Sequence, residues 1–174
     1  MSHVLRSDEQ LVACVRAGDD AAFAEIVRRY EARLSGFARR LLAGTSGDPQ
    51  DVVQDALARA YRALPRDTRP MALSAWLHCI VRNCVIDDRR RHVPEELVTE
   101  LASPGSLSDR AEERHDFAAV IAEIGRLPDR QREALVLSVF EGRSYAEIAA
   151  VQGNSVAAVK ALICRGRSAL RLAA

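Results

Sequence analysis

The sequence predicts an all-α fold made of two helical domains. Aromatic residues make up only 5% of the 174 residues, whereas alanine, the strongest helix former, is abundant. No segment of useful length alternates apolar and polar residues with the period of a strand. Charge is segregated, since residues 61–92 carry seven Arg against three acids and residues 93–142 carry five Arg against eleven acids. Two basic blocks, 61–92 and 143–174, therefore predict two separate surfaces for polyanions.

Capping residues and chain breakers divide the N-terminal half into four predicted helices. Ser7 and Asp19 stand at the N-cap positions of the first two, and Asp48 precedes a Pro at the first position of the third. The first predicted helix extends from after Ser7 to Gly18, and the second from after Asp19 to before Gly44. The third extends from after Asp48 to about Ala63, and the fourth from about Met71 to about Arg91. Apolar residues recur at helical spacing in the last three, which predicts a four-helix domain over residues 1–92.

The third predicted helix has a polar stripe opposite its apolar side. Asp51, Gln54, Asp55 and Arg62 fall within this stripe when each residue turns the helix by about 100°. By itself, such a stripe indicates a solvated helix face more readily than a binding surface.

The fourth predicted helix has an apolar side and a cationic side. Its buried stripe is predicted to consist of Leu73, Trp76, Leu77, Ile80, Val81 and Cys84. The side chains predicted to project away from that stripe are His78, Arg82, Arg89 and Arg90, with Asn83 at the edge. Cations at a helix C-terminus complement the helix dipole, which is a purely structural use. Outward Arg residues beside an Asn that can hydrogen-bond base edges also suit a track for nucleic acid.

Residues 93–111 form a predicted flexible acidic linker. They contain Ser103-Pro104-Gly105-Ser106, the strongest linker signal in the chain. Extended at about 3.3 Å per residue, the linker reaches roughly 60 Å, which lets two domains sit nearly two turns of DNA apart. The C-terminal domain is therefore assigned to residues 112–174, with a helix from about Asp109 to Arg126 leading into it.

The C-terminal domain has the order of elements of a helix-turn-helix. A helix that opens at Leu127-Pro128-Asp129 is followed by Ser144 and Glu147, which form a capping box for a short second helix. Gly153 can adopt the positive φ of a tight turn, and Ser155 caps a longer third helix. A basic helix after such a turn favours DNA binding, although a helical hairpin with a solvated basic face has the same pattern.

The remaining patterns speak against an enzyme, a metalloprotein and a membrane protein. The four Cys form no C-x-x-C pair, and Cys79 and Cys84 lie about 140° apart around one helix, so we expect buried cysteines and no metal site. The His residues are scattered, with no nucleophile–base spacing and no phosphate-binding Gly loop. No apolar run has membrane-spanning length and no signal peptide opens the chain, so we expect a cytoplasmic protein without cofactors or catalytic residues.

Three motifs in a fixed order resemble those of bacterial sigma factors of the small, two-domain extracytoplasmic-function (ECF, group IV) type in the sigma-70 family. Residues Asp48–Arg62 resemble the helix that grips the clamp of the largest polymerase subunit. Residues Ala75–Arg90 resemble the helix that engages the minus-ten promoter element. Residues Leu127–Glu133 and Gly142–Ala149 resemble the domain that reads the minus-thirty-five element, so the likeness extends over nearly the whole chain.

The resemblance implies a non-enzymatic factor that binds core RNA polymerase, recognises both promoter elements and stabilises strand opening. The implied polymerase-binding residues are Asp51, Gln54 and Asp55. The implied minus-ten contacts are Arg69, Ser74, Trp76, Arg82, Asn83, Arg89 and Arg90. The implied minus-thirty-five contacts are Ser155, Val156, Ala157, Ala158, Lys160, Ala161, Arg165 and Arg167. Implied partners are the clamp and flap regions of core polymerase, promoter DNA and, where one exists, an anti-sigma factor.

A stand-alone helix-turn-helix regulator that acts without polymerase is the alternative interpretation. It explains the C-terminal domain but leaves the Asp48–Arg62 motif and the helix around Trp76 without a use. An enzyme is a weaker alternative still, for the reasons of spacing given above.

The C-terminal domain departs from the family pattern at the front of its third helix. Ala157, Ala158 and Ala161 stand where Gly, Thr and Ser are common. Because fewer polar groups reach the bases, we expect weaker minus-thirty-five readout that relies on alanine methyl contacts to thymine and on DNA shape. Gly166, inside the same helix, is expected to cost about 1 kcal/mol relative to Ala.

The chain ends in Leu172-Ala173-Ala174, a C-terminus with two interpretations. It is similar to the end of the tag that bacteria append to stalled proteins for Clp-type proteolysis, which would make a Clp-type protease a partner. Small residues that fray from a helix end have the same appearance.

Overall fold

The computed structural model describes residues 6–91 and 119–173, and within these ranges the chain is helical and has no strand, as predicted. The first range contains α1 (Asp8–Arg16), α2 (Asp20–Leu41), α3 (Pro49–Ala63) and α4 (Leu73–Arg91). The second range contains α5 (119–125, its start outside the described residues), α6 (Asp129–Val139), α7 (Tyr145–Gln152) and α8 (Val156–Ala173). The predicted linker, 93–111, lies outside the described residues.

The predicted caps define where the N-terminal helices begin. The Ser7 side chain accepts a hydrogen bond from the Gln10 amide while the Gln10 side chain accepts one from the Ser7 amide, so the capping box of α1 is complete. Asp19 caps α2, and Asp48 Oδ1 accepts a hydrogen bond of 2.7 Å from the Gln50 amide at the start of α3. These bonds satisfy backbone donors that have no partner inside a helix.

In the first domain α2 lies at the centre and packs against α1, α3 and α4. The side chains with almost no solvent exposure include Leu11, Ile26, Leu34, Phe37, Leu64, Leu77 and Val81. They come from α1, α2, α4 and the residue that follows α3, and Val53 and Ala60 of α3 are equally buried, so one shared core holds the bundle together. The predicted apolar stripe of α2 is confirmed by this packing.

The second domain has the predicted helix-turn-helix order. The Ser144–Glu147 capping box starts α7, and Gly153 ends it in the left-handed region at φ 62°. Helices α6, α7 and α8 pack against one another around Val136, Ile148 and Ile163. The turn thereby directs α8 across the other two helices.

The two domains also contact each other directly. Helix α2 packs against α6, and α4 packs against α7. Four buried polar or charged residues lie at or beside this contact, namely His78, Arg132, Glu133 and Glu141. None of the described helices is both long and apolar enough to cross a membrane.

Four expectations about burial are wrong. His78 was expected to point outward from α4 but is completely buried, because the second domain packs on that side of the helix. The helical spacing of apolar residues in 135–140 and 156–163 predicts that Val139 and Val156 lie on the apolar sides of their helices, but they are 57% and 49% exposed. The cysteines were expected to be buried, but Cys164 is exposed on α8, Cys14 and Cys79 are half-buried, and Cys84 alone of the four is fully buried.

Gly166 has a packing role that helix propensity does not reveal. It is buried where α8 crosses α6, and a Cβ at this position would lie only 2.6 Å from Cδ1 of Leu135. Leu135 is itself buried, so it has little room to move away. The absence of a side chain therefore allows the two helices to approach each other.

We expect Gly166→Ala to destabilise the protein. Overpacking a core costs about 1–3 kcal/mol, which outweighs the roughly 1 kcal/mol of helix propensity gained. Urea unfolding measures the change, and Gly36→Ala in α2 is the matched control, since a Cβ there would meet only the flexible Arg40 guanidinium, 3.3 Å away. Equal stabilisation by both substitutions would contradict the packing role of Gly166.

Candidate nucleic-acid interface

The polar stripe of α3 lies on the surface of the first domain. Asp51 and Gln54 are exposed, and Asp55 is half-buried on the next turn of the same face. Arg59 binds the Asp55 carboxylate at 2.8 Å and also the Asp87 carboxylate of α4 at 2.9 Å. These hydrogen bonds, the one to Asp87 foremost, raise the pKa of the Arg59 guanidinium, so this cation remains charged and holds α3 against α4. Asp51 and Gln54 remain accessible to a partner.

The connection between α3 and α4 forms an open cationic groove. Its volume is about 1020 Å³ and its charged lining consists of Asp55, Arg59, Arg62, Arg66, Asp67 and Arg69. Arg69 donates to the Asp67 carboxylate at 2.7 Å, and this hydrogen bond lowers the pKa of Asp67 to about 2. Arg16 of α1 donates to the Arg69 carbonyl oxygen at 2.8 Å and so holds the loop in place. Sequence reasoning missed Arg59 and Arg66 as members of this groove, although Arg66 lies within the basic block of residues 61–92.

Helix α4 presents the predicted minus-ten residues on one side, but only some of them face solvent. Asn83 and Arg90 are exposed, whereas the Arg82 and Arg89 side chains are 17% and 18% exposed. Arg82 Nε lies 2.7 Å from Oε1 of Glu133, and Arg89 forms an ion pair with Asp129, both acids being in α6.

The first turn of α4 contains the other two predicted contacts. Ser74 Oγ accepts a hydrogen bond from Arg143, so a residue of the second domain occupies it. Trp76 is half-buried and packs against the core of its own domain. The tertiary structure thus brings the predicted residues of α4 together and covers several of them with the second domain.

The front of α8 is exposed along its length. Ser155 Oγ accepts a hydrogen bond of 3.2 Å from the Ala158 amide and caps the helix as predicted. Of the predicted contacts on this helix, Ala158 is half-buried and the others are exposed, namely Val156, Ala157, Lys160, Ala161, Arg165 and Arg167. No acid occurs between Val156 and Ala173, so the electrostatic surface of α8 favours an approaching phosphate backbone.

Sequence reasoning missed the contacts of Arg132 and Glu141, two of the buried charged residues of the second domain. Arg132 donates to the carbonyl oxygens of Ile124, Leu127 and Gly125 in its own domain and, at 2.9 Å, to that of Leu41 in the first domain. Burial lowers the pKa of Arg132 to about 10, which is still high enough to keep the guanidinium charged at neutral pH.

Glu141 is the second of these residues, and its side chain contacts the first domain. Burial by itself would raise its pKa, but hydrogen bonding with His78 and Arg33 outweighs burial and holds the pKa at about 2. Glu141-Gly142 follows α6, a pair that by itself predicts only a helix end, and nothing local in the sequence marks Glu141 as a contact between domains.

An exposed acid–amide stripe on α3, a row of Arg residues along α4 and a helix-turn-helix whose last helix is basic are features typical of two-domain, DNA-binding transcription factors. Within that class, the Sigma-70 region 2 family matches residues 26–94 and the Sigma-70 region 4 family matches residues 117–170. The chain belongs to the sigma-70 family as an ECF sigma factor, and it directs promoter-specific transcription initiation. Sigma factors of this family are non-enzymatic initiation factors.

The similarity to relatives of known role extends over almost all of the chain. The ECF RNA polymerase sigma factor SigM of Mycobacterium tuberculosis strain H37Rv is 35% identical over 165 residues, covering 95% of this chain and 83% of SigM. The ECF RNA polymerase sigma-E factor of Escherichia coli K12 is 32% identical over 181 residues, covering 94% of this chain and 92% of its own length.

Solved structures show the same architecture. CnrH, solved in complex with the cytosolic domain of CnrY, is 31% identical with a TM-score of 0.72, covering 95% of both chains. The sigma factor RpoE, solved with the anti-sigma factor NepR from Bartonella quintana, is 26% identical with a TM-score of 0.67, covering 86% of this chain and 94% of RpoE.

Proposed function

We propose that Asp51, Gln54 and Asp55 dock the first domain on the clamp of core RNA polymerase. The observation that supports this assignment best is the exposure of Asp51 and Gln54 on one face of α3, inside the stretch that matches Sigma-70 region 2. Asp55, already paired with Arg59, then contributes to the edge of this contact.

Within the same proposal, α4 and the loop before it hold the separated minus-ten strand. Arg82, Asn83, Arg89 and Arg90 lie on α4, and Arg69 lies beside the cationic groove. Unstacking a base costs a few kcal/mol, which phosphate contacts and a receiving pocket offset without any chemical step. The protein thereby selects DNA that is inexpensive to open and well matched to these contacts, and it catalyses no reaction.

The exposed front of α8 is proposed to read the minus-thirty-five element. Lys160, Arg165 and Arg167 supply phosphate contacts, while the small side chains of Ala157 and Ala161 face the bases. Since a good bidentate base contact is worth about 1–3 kcal/mol and alanine makes none, readout here depends mainly on methyl contacts and DNA shape.

Run-off transcription tests the proposed function. Sigma-free core polymerase from the same bacterium, given a broad pool of genomic templates, is expected to start discrete transcripts only when this protein is added. Tight binding of duplex promoter DNA by the protein alone, with no transcripts in the presence of polymerase, would instead support a stand-alone regulator.

An anti-sigma protein is a further proposed partner, acting with the sigma factor in the cytoplasm. The solved relatives CnrH and RpoE were each crystallised with a bound protein, CnrY and the anti-sigma factor NepR. Their similarity to this chain over 86–95% of its length supports an equivalent partner here.

A further inference from the structure

Two Arg residues assigned to the minus-ten strand are bound to acids of the second domain. Arg82 Nε lies 2.7 Å from the Glu133 carboxylate, and Arg89 is paired with Asp129 at the first position of α6. A cleft of about 660 Å³ lies between α4 and α6, and its charged lining includes Arg82, Arg89, Arg90, Asp129, Arg130 and Glu133. Carboxylates of α6 thus occupy the positions beside α4 that DNA phosphates would need.

A second set of contacts surrounds Glu141. Its side chain is 3% exposed and lies 2.5 Å from Arg33 Nε, 3.4 Å from Arg40 Nη1 and 3.3 Å from His78 Nε2. All three partners belong to the first domain, and Arg40 also lies over the Phe140 ring at 4.5 Å. A carboxylate buried to this extent requires such partners, because removing it from water is costly.

The domains also meet with close backbone packing. A Cβ at Gly125, at the end of α5, would lie 3.0 Å from the Ala43 carbonyl oxygen and 3.3 Å from Ala43 Cβ, just beyond the end of α2. Arg132 donates to the Leu41 carbonyl oxygen at 2.9 Å in the same region. Ion pairs, a buried carboxylate and close backbone contact therefore coincide at one interface.

We propose that the free sigma factor is closed, with α6 and Glu141 of the second domain docked on the first domain, so that strand binding by α4 requires the domains to separate. The acidic side chains of α6 act as an internal substitute for DNA phosphates. The inference rests on the proposed function for the role of α4 in DNA binding, but not for the closure itself. A larger partner such as polymerase would release α4 only if its own contacts compete with those between α4 and α6 and around Glu141.

An engineered disulfide tests whether closure occurs. Disulfides join Cβ atoms about 3.5–4.5 Å apart. A Cβ at Gly125 would lie 3.3 Å from Ala43 Cβ, so a shift of a few tenths of an ångström at Ala43 both relieves the close contact and brings the pair into that range. In a Cys164→Ser background of the full chain, which removes the exposed native thiol, the double variant Ala43→Cys/Gly125→Cys is expected to cross-link on mild oxidation. Neither single variant should do so. Absence of the cross-link in a folded double variant would count against the closed state.

A charge reversal tests closure without a cross-link. Glu141→Arg places a cation among Arg33, Arg40 and His78 and is expected to separate the domains, raising the radius of gyration measured by small-angle X-ray scattering. Glu123→Arg is the matched control, because it makes the same change of charge in the same domain, where Glu123 pairs only locally with Arg126. Equal radii for wild type and Glu141→Arg, or the same increase in Glu123→Arg, would overturn the proposal.

The affinity for single-stranded DNA tests whether closure blocks strand binding by α4. The probe is a fluorescein-labelled pool of single strands of random sequence. If about nine-tenths of the free protein is closed, Glu141→Arg is expected to bind about tenfold more tightly than Glu123→Arg. The oxidised disulfide variant should bind more weakly than its reduced form, and equal binding by the two forms would disprove occlusion of α4. If every form failed to bind while cross-linking and scattering behaved as expected, closure would stand and the assignment of α4 as the strand-binding helix would fail.

Discussion

Asp51→Arg is expected to reduce run-off transcription with core polymerase by roughly a hundredfold. The side chain is exposed on α3 and is proposed to meet the polymerase clamp. Close charge pairs across protein interfaces couple by about 1.5–7 kcal/mol, and reversal adds repulsion, so a loss of about 3 kcal/mol is a conservative value. The measurement is transcript yield as a function of sigma-factor concentration.

The control for this substitution is Glu31→Arg, which makes the same change of charge at an exposed position of α2. It should leave transcription near the wild-type level, and both variants should unfold at wild-type urea concentrations. A drop in transcription of equal size in the two variants would indicate a general effect of charge, and full activity of Asp51→Arg would remove α3 from the polymerase contact.

Arg132→Ala is expected to lower the free energy of unfolding by roughly 3–5 kcal/mol. The guanidinium is 4% exposed and donates to four backbone carbonyl oxygens, three around the end of α5 and one at Leu41. Each buried acceptor left without a donor costs about 1–3 kcal/mol, and relief of the buried charge offsets part of the total. Urea denaturation of the full chain measures the loss.

Arg130→Ala is the matched control for this prediction. Arg130 is exposed two residues earlier on α6 and donates to the Asn154 side chain at 3.3 Å. Its removal should change stability by no more than about 0.5 kcal/mol, as is usual for surface substitutions. Similar stability of Arg132→Ala and Arg130→Ala would show that the carbonyl contacts of Arg132 contribute little.

The helices and their starting points were accessible from the sequence because the interactions that set them are local. A capping box joins Ser7 to Gln10 or Ser144 to Glu147, residues only three positions apart. The apolar stripe of α2 likewise follows from a helical period that any short window reveals. The family motifs share this property, since each occupies one continuous stretch of chain.

Short-range patterns along the chain were enough to predict the all-helical architecture, the helix-turn-helix order, the sigma-70 family and the polar stripe of α3. Only the folded protein reveals that His78 is buried, that Gly166 permits the crossing of α8 and α6, and that Arg82 and Arg89 are paired with α6. These contacts join residues that are far apart along the chain: Arg33 and Glu141 are 108 residues apart, and no local pattern specifies which distant carboxylate a cation will meet. Burial and ion pairing between domains follow from how two complete surfaces fit together, so they become visible only in three dimensions.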